Sequence, residues 1–169
     1  MTAGRAPTVD PLVDLARAVQ AACVARELTV ATAESCTGGL VSHLLTEVPG
    51  ASAYFAGGVV SYSDRVKVDA LGVPTLTIER YGAVSAQAAR AMAVGARERL
   101  GTKVAVAVTG IAGPDGGSAG KPVGLTFIAV ARARRTELER HVWHGSRDAN
   151  KRSSAEAALR LLLRVVTAP

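Results

Sequence analysis

The sequence predicts a single three-layer α/β/α domain with a mixed sheet, and three observations support this fold class. Apolar, β-branched runs alternate with segments in which apolar residues recur at helical spacing, as expected for strands separated by helices. The last two runs, 125–131 and 138–143, are joined too tightly for a crossover helix and therefore form an antiparallel pair. The 169 residues, 49% of them hydrophobic, can bury one core without disulfides.

The first half of the predicted domain alternates helices and strands. A helix opens at Asp10-Pro11, because aspartate caps a helix and proline fits its first turn. The run 28–32 is a predicted strand, and the helical spacing that follows it puts Thr37-Gly38-Gly39 at a helix start. A second strand begins near Phe55 and enters a helix near Ser63. The stripe of the first helix consists of Leu12, Leu15, Val19 and Cys23.

The second half continues the alternation. A long helix starts at Val84-Ser85 and ends at Gly101, and a strand follows over 103–109. After the two paired strands, a final helix covers about 149–166. Its apolar stripe consists of Ala155, Leu159, Leu162 and Val166. Residues 1–9 are predicted to form a flexible tail, which leaves residues 10–169 as the one domain.

The segment 33–39, Ala-Glu-Ser-Cys-Thr-Gly-Gly, places two potential nucleophiles, Ser35 and Cys36, between a strand and a helix. A helix start carries unpaired backbone N–H groups and a partial positive charge, which suits a developing oxyanion. The alternative interpretation is that Ser35 or Thr37 only caps the helix.

A second motif, 108–124, contains six glycines in the fifteen residues from Gly110 onward. Glycine lets the backbone approach a ligand and point its amides inward. The motif is not a Walker loop, because Lys121 is followed by proline, and the chain has no Gly-x-Gly-x-x-Gly. The alternative is a mobile surface loop with a Pro-Asp-Gly turn.

The third motif leads from Tyr62 to Lys67, five residues later and about one turn into a helix. A lysine acts as a general base only if burial or cationic neighbours lower its pKa. The alternative is an ordinary solvated lysine. However, Glu34-Ser35, Tyr62 and Thr109-Gly110 all follow strands, and such sheets bind ligands beyond the carboxyl ends of their strands. This convergence favours a catalytic pocket.

The net charge of +6 and the sequence pI of about 9.9 suit an anionic ligand or nucleic acid. Aromatic content is only 4%, so the stacking platform of single-strand binders is missing, which disfavours nucleic acid. We predict no metal site. The two cysteines do not have the spacing of metal ligands, and His141 and His144 are expected on opposite sides of a strand. No signal segment or run of eighteen apolar residues occurs, so we expect a cytoplasmic protein without a membrane partner.

Taken together, the motifs resemble the C-terminal domain of the competence/damage-inducible protein CinA, whose stand-alone bacterial members are nicotinamide mononucleotide amidohydrolases. The resemblance implies that Ser35 is the nucleophile, that Lys67 with Tyr62 activates it, and that Thr109 lies in the same pocket. Asp64 stands where the family commonly has Asn, and Lys151 where it commonly has Arg. The matching segments are 32–39, 57–67, 71–73, 82–85, 109–117, 121–124 and 145–147.

The resemblance also implies a reaction, the hydrolysis of the carboxamide of nicotinamide mononucleotide through a serine acyl-enzyme, with no cofactor. Amides near Thr37, Gly38 and Gly39 are expected to bind the oxyanion. A homodimer is expected from the family. The alternatives are a phosphate-ligand binding module without turnover and a competence-associated nucleic-acid-binding protein. The groups expected to hold the substrate and its 5′-phosphate are the loop glycines Gly110, Gly113, Gly116 and Gly117, with Arg147, Lys151 or Arg152.

Overall fold

A five-stranded mixed sheet lies at the centre of the computed structural model, which describes residues 10–169, so the tail predicted over 1–9 lies outside the described residues. The strand order is β2-β1-β3-β4-β5. β1 is parallel to both of its neighbours, whereas β4 is antiparallel to β3 and to β5. The predicted mixed sheet and terminal antiparallel pair are therefore confirmed. The strands are β1 (Val30–Glu34), β2 (Phe55–Val60), β3 (Val104–Gly110), β4 (Leu125–Arg132) and β5 (Arg135–Val142).

Helices cover both faces of the sheet and complete the three layers. Every second residue of β1 and of the first part of β3 is alanine, so the alanines face one side of the sheet, while Val30 and the β3 valines face the other. The valine side packs against α1, α2 and α6, and the alanine side lets α5 approach closely. The helices are α1 (Pro11–Ala25), α2 (Leu40–Thr46), α3 (Asp64–Leu71), α4 (Thr75–Tyr81), α5 (Ala86–Arg99) and α6 (Arg147–Thr167).

Thr37-Gly38-Gly39 lie at the start of α2 as predicted, with Gly39 at the N-cap, and Gly38 and Gly39 have φ values of 63° and 99°. Two details differ from the sequence predictions. Leu15 is only partly buried, and Ala16 takes its place in the α1 stripe. α4 was not predicted, since it is short and begins after Pro74 without a side-chain cap.

Gly95 fixes the distance between α5 and α3. A Cβ at this position would lie 1.9 Å from the carbonyl oxygen of Leu71, the last residue of α3. Alanine normally stabilises a helix interior relative to glycine. At Gly95 the added Cβ would instead collide with the backbone of α3, so the two helices would have to move apart.

We therefore expect Gly95→Ala to lower the free energy of unfolding by about 1–3 kcal/mol, the usual cost of overpacking. Urea denaturation followed by circular dichroism measures this change. Gly120→Ala is the control, because a Cβ at Gly120 meets no atom within 4 Å. A gain in stability for Gly95→Ala would show that the α3–α5 contact is loose.

Candidate active site

A cleft of about 250 Å³ lies at the carboxyl ends of the parallel strands β1, β2 and β3. Ser35 follows β1 directly, and its amide donates to the carbonyl oxygen of Val108 in β3 at 2.9 Å. This bond continues the sheet one residue past the strand and fixes the serine at the cleft. The lining residues used below are Ser35, Tyr62, Asp64, Lys67, Thr109, Gly110, Gly113, Asp115, Gly116 and Arg147.

Lys67 reaches Ser35 from the second turn of α3. Its Nζ lies 3.2 Å from Ser35 Oγ and donates to the carbonyl oxygens of Ser61 at 2.8 Å and Tyr62 at 3.4 Å. The lysine is 1% exposed and makes no ion pair within residues 10–169. Burial lowers the pKa of its amine, although Asp64 and Cys36 partly oppose this shift. A neutral amine in this position can accept the proton of the Ser35 hydroxyl.

The phenol of Tyr62 forms no hydrogen bond with Lys67, although the resemblance implies that the two residues act together on Ser35. Its side chain is 60% exposed, and its hydroxyl accepts a hydrogen bond from Arg147 Nη2 at 3.0 Å. Only its backbone carbonyl contacts Lys67. Thr109 lines the cleft and donates from Oγ1 to the carbonyl oxygen of Ala83 at 2.8 Å, which ties the segment before α5 to the end of β3.

Cys36, the second potential nucleophile, is buried, and its burial raises the pKa of the thiol to about 12. The thiol therefore stays protonated at neutral pH, and thiols are far weaker nucleophiles than thiolates. Its Sγ also restricts Gly110, because a Cβ there would lie 3.0 Å from Sγ and 2.7 Å from the carbonyl oxygen of Leu125.

Glu34 organises the turn that carries Ser35 and Cys36. This buried carboxylate accepts hydrogen bonds from the amides of Gly39, Val41 and Ser42 and from the Ser42 hydroxyl, at 2.7–3.1 Å. It therefore caps α2 from the preceding strand. The interpretation that Ser35 or Thr37 caps this helix is wrong, because neither side chain bonds to its first amides.

The amides of the turn after Ser35 differ in their partners, and of residues 36–39 Cys36 lines the cleft whereas Thr37, Gly38 and Gly39 do not. The amide of Gly38 donates to the Ser35 carbonyl at 3.0 Å and that of Gly39 to Glu34, so both are occupied. The amides of Cys36 and Thr37 have no hydrogen-bond partner among residues 10–169. The Thr37 hydroxyl is buried and likewise has no partner in that range.

Arg147 and glycines of the 108–124 motif also line the cleft. Arg147 donates from Nη1 to the carbonyl oxygen of Gly113 at 2.7 Å, and within the described chain it pairs with no acid. Asn150, which the sequence analysis did not single out, donates to the Ala112 carbonyl and holds the start of the loop against α6. The glycine-rich segment 108–124 is therefore not simply a mobile surface loop, because side chains of α6 bond to its backbone at Ala112 and Gly113.

The other expected anion ligands occupy different places. A Cβ at Gly38 would lie 3.8 Å from Lys151 Nζ, so this lysine is beside the nucleophile turn. Arg152 forms an ion pair with Asp10 at 2.5 Å and does not line the cleft. Gly110, Gly113 and Gly116 line it, whereas Gly117 packs against Val123.

The fold and the cleft define a class: a three-layer α/β domain that holds a serine–lysine pair at the carboxyl ends of its parallel strands. Residues 12–166 match the sequence model of the CinA C-terminal domain. The chain therefore belongs to the CinA C-terminal domain family. Within the described residues, no helix is both long and apolar enough to span a membrane.

Individual relatives agree with this assignment. A CinA-like protein of Geotalea daltonii is 50% identical over 83% of this chain and 34% of its own length, and one of Chlorobaculum tepidum is 52% identical over 82% and 34%. The chain thus spans about a third of the length of these curated relatives.

Solved structures show the same fold. The competence/damage inducible protein CihA of Agrobacterium tumefaciens has a TM-score of 0.88 at 41% identity and covers 95% of this chain and 99% of its own. A CinA superfamily protein of Escherichia coli has a TM-score of 0.89 at 31% identity, covering 98% and 95%.

The environment of Glu34 generates a stability prediction. Glu34→Ala leaves four donors without their acceptor, so we expect the free energy of unfolding to fall by at least about 3 kcal/mol. Glu47→Ala, which removes only an exposed contact with His43, is the control and should change it by less than about 0.5 kcal/mol. Urea denaturation compares them, and equal stabilities would mean that water replaces the carboxylate.

Proposed function

We propose that this chain hydrolyses the carboxamide of nicotinamide mononucleotide to nicotinate mononucleotide and ammonia through an acyl-enzyme on Ser35. The observation that carries the proposal is the 3.2 Å contact between Lys67 Nζ and Ser35 Oγ, made by an amine that is buried without an acidic partner in the described chain. This contact supports a hydroxyl nucleophile with an adjacent base. The substrate is the one that the family resemblance implies.

In the proposed first step, Ser35 Oγ attacks the carboxamide carbon and its proton passes to Lys67 Nζ. The tetrahedral intermediate collapses when Lys67 returns this proton to the leaving nitrogen, which departs as ammonia. Water, deprotonated by Lys67, then attacks the ester carbon, the bond to Ser35 Oγ breaks, and Lys67 returns the proton to Oγ as the carboxylate product leaves. A direct transfer is favoured over a relay through the Tyr62 phenol, because that hydroxyl is bonded to Arg147 and the lysine contacts only the Tyr62 backbone.

The oxyanion is assigned to the free amides of Cys36 and Thr37. Both belong to the turn that presents Ser35, so they move with the nucleophile and need no separate alignment. A donor of this kind contributes on the order of 3 kcal/mol of transition-state stabilisation. The amides of Gly38 and Gly39 support the turn instead.

Phosphate recognition is assigned to Arg147 with the amides of Gly113 and Gly116. Arg147 lines the cleft, and both of its recorded partners are neutral oxygen atoms, so its charge is free for an anion. Lys151 is a second cation beside the turn. Arg152 is a weaker candidate because Asp10 already neutralises it. The reaction as written needs no cofactor. A cytoplasmic homodimer that acts in pyridine nucleotide recycling is the wider context we propose.

The alternative functions are less well supported. A binding module without turnover would not require a buried lysine against a serine hydroxyl. Nucleic-acid binding rests on the net charge, but Arg65, Arg152, Arg160 and Arg164 each form an ion pair with an acid.

Ammonia release from nicotinamide mononucleotide tests the proposal. We expect turnover by the native chain, a loss of at least a thousandfold for Ser35→Ala because no attacking oxygen remains, and substantial activity for Cys36→Ser, the adjacent control. Binding without ammonia release by the native chain would support the binding module. An inactive Cys36→Ser with an active Ser35→Ala would assign the chemistry to the thiol.

The pH dependence tests the base. Activity should rise with pH as Lys67 loses its proton, and Asp64→Asn should move this rise to lower pH, because the carboxylate stabilises the protonated amine and raises its pKa. Asp69→Asn, on the exposed side of the same helix, is the control. A shift in the opposite direction, or none, would remove Lys67 as the titrating base.

A further inference from the structure

We propose that Asp64 and Asp115 recognise positive charge on the heteroaromatic ring that bears the amide, so that the cleft selects amides of cationic rings. This inference rests on the proposed function, because it takes the amide at Ser35 as its starting point. Neither aspartate belongs to the serine–lysine pair, and both line the same cleft.

The depth of the cleft residues decides where the ring lies. Ser35 is 8% exposed and Lys67 1% exposed, so the reacting amide binds at the base of the cleft. Asp64 is exposed, whereas Lys67, three residues later and about one helical turn along α3, is buried. Asp115 is also exposed and lies on the glycine-rich loop. A ring attached to the amide must then extend outward, between α3, which carries Asp64, and the glycine-rich loop, which carries Asp115.

Both carboxylates are available for a ligand. Neither forms a hydrogen bond or an ion pair with another side chain in residues 10–169. Asp64 does occupy the first turn of α3, where an acid is favourable in itself. That explanation does not apply to Asp115, which lies outside any helix.

The cleft therefore carries separated charges. The carboxylates of Asp64 and Asp115 line the exposed part of the cleft, and Arg147 is the cation that lines it without an acidic partner in the described chain. Lys67 lies at the base, where burial lowers the pKa of its amine. A ligand with a positive ring and an anionic tail matches this arrangement. An amide on a neutral ring would gain only the anionic contact. Because the aspartates are exposed, each should contribute a modest, salt-sensitive preference of about two- to fivefold.

The test uses two ligands that differ in ring charge. Nicotinamide mononucleotide has a cationic pyridinium, and its reduced 1,4-dihydro form keeps the carboxamide, ribose and phosphate on a neutral ring. Calorimetry measures both dissociation constants at pH 8 and low salt in a Ser35→Ala background, which prevents turnover. Asp64→Asn and Asp115→Asn are then added singly, with Asp69→Asn as the matched control on α3.

We expect Asp64→Asn and Asp115→Asn each to weaken binding of the cationic ligand about two- to fivefold and to leave binding of the neutral ligand unchanged. Asp69→Asn should change the binding of neither ligand. Added NaCl should reduce the difference. Equal effects on both ligands, no effect on either, or no binding of either would overturn the inference. Charge-selective binding in a chain whose native form releases no ammonia would support the inference while refuting the proposed function.

Discussion

The proposed chemistry of this site depends on the burial of one amine, that of Lys67. Lys67 Nζ is removed from water and is surrounded by the oxygens of Ser35, Ser61 and Tyr62, which are neutral. A charged ammonium in such a place loses its hydration without gaining a carboxylate, so its proton is easier to lose. The carbonyl oxygens orient the amine without fixing its charge. An acid in direct contact would have restored the ordinary pKa and left the serine without a base.

Glu34 determines which amides of the turn after Ser35 are left without a hydrogen-bond partner. A helix start exposes several unpaired amides, and they would all compete for the same anion. The Glu34 carboxylate takes the amides of Gly39, Val41 and Ser42, while Gly38 closes the turn on the Ser35 carbonyl. Among the amides of this turn, those of Cys36 and Thr37 have no partner in residues 10–169. The Glu34 carboxylate thus narrows a general anion site to two positions, which is the selectivity that the proposed oxyanion site requires.

The periodicity of the sequence was sufficient for most of the fold. Strand and helix order, the antiparallel pair and the position of Lys67 about one turn into a helix all follow from local patterns, since each depends on residues near in sequence. The short α4 could not be found this way, because it lacks a cap and a clear apolar stripe. Gly38 and Gly39 marked the start of α2, but the hydrogen bond from the Gly39 amide to the Glu34 carboxylate could not be predicted, because it depends on the direction of a side chain.

The site itself could be predicted only as a set of residue types. Three strand ends brought Ser35, Tyr62 and Thr109 to one edge by topology, and the structure places all three at the cleft. Which groups touch depends on side-chain directions and burial that sequence spacing does not determine. The phenol of Tyr62 pairs with Arg147, 85 residues away, and Arg152 pairs with Asp10, 142 residues away. Such pairings decide which cations remain available for a ligand.

The distribution of satisfied and free groups shows how the domain separates stability from binding. Most polar groups around the cleft have internal partners: Asn150 holds Ala112, Thr109 holds Ala83, and Glu34 holds α2. A satisfied group resists a change of partner, because breaking a buried hydrogen bond costs its full desolvation. Within residues 10–169, the groups without such partners include the amides of Cys36 and Thr37, the carboxylates of Asp64 and Asp115 and the charge of Arg147. Ligand binding can change the partners of these groups without disturbing the fold, which is why the proposed function assigns substrate recognition to them.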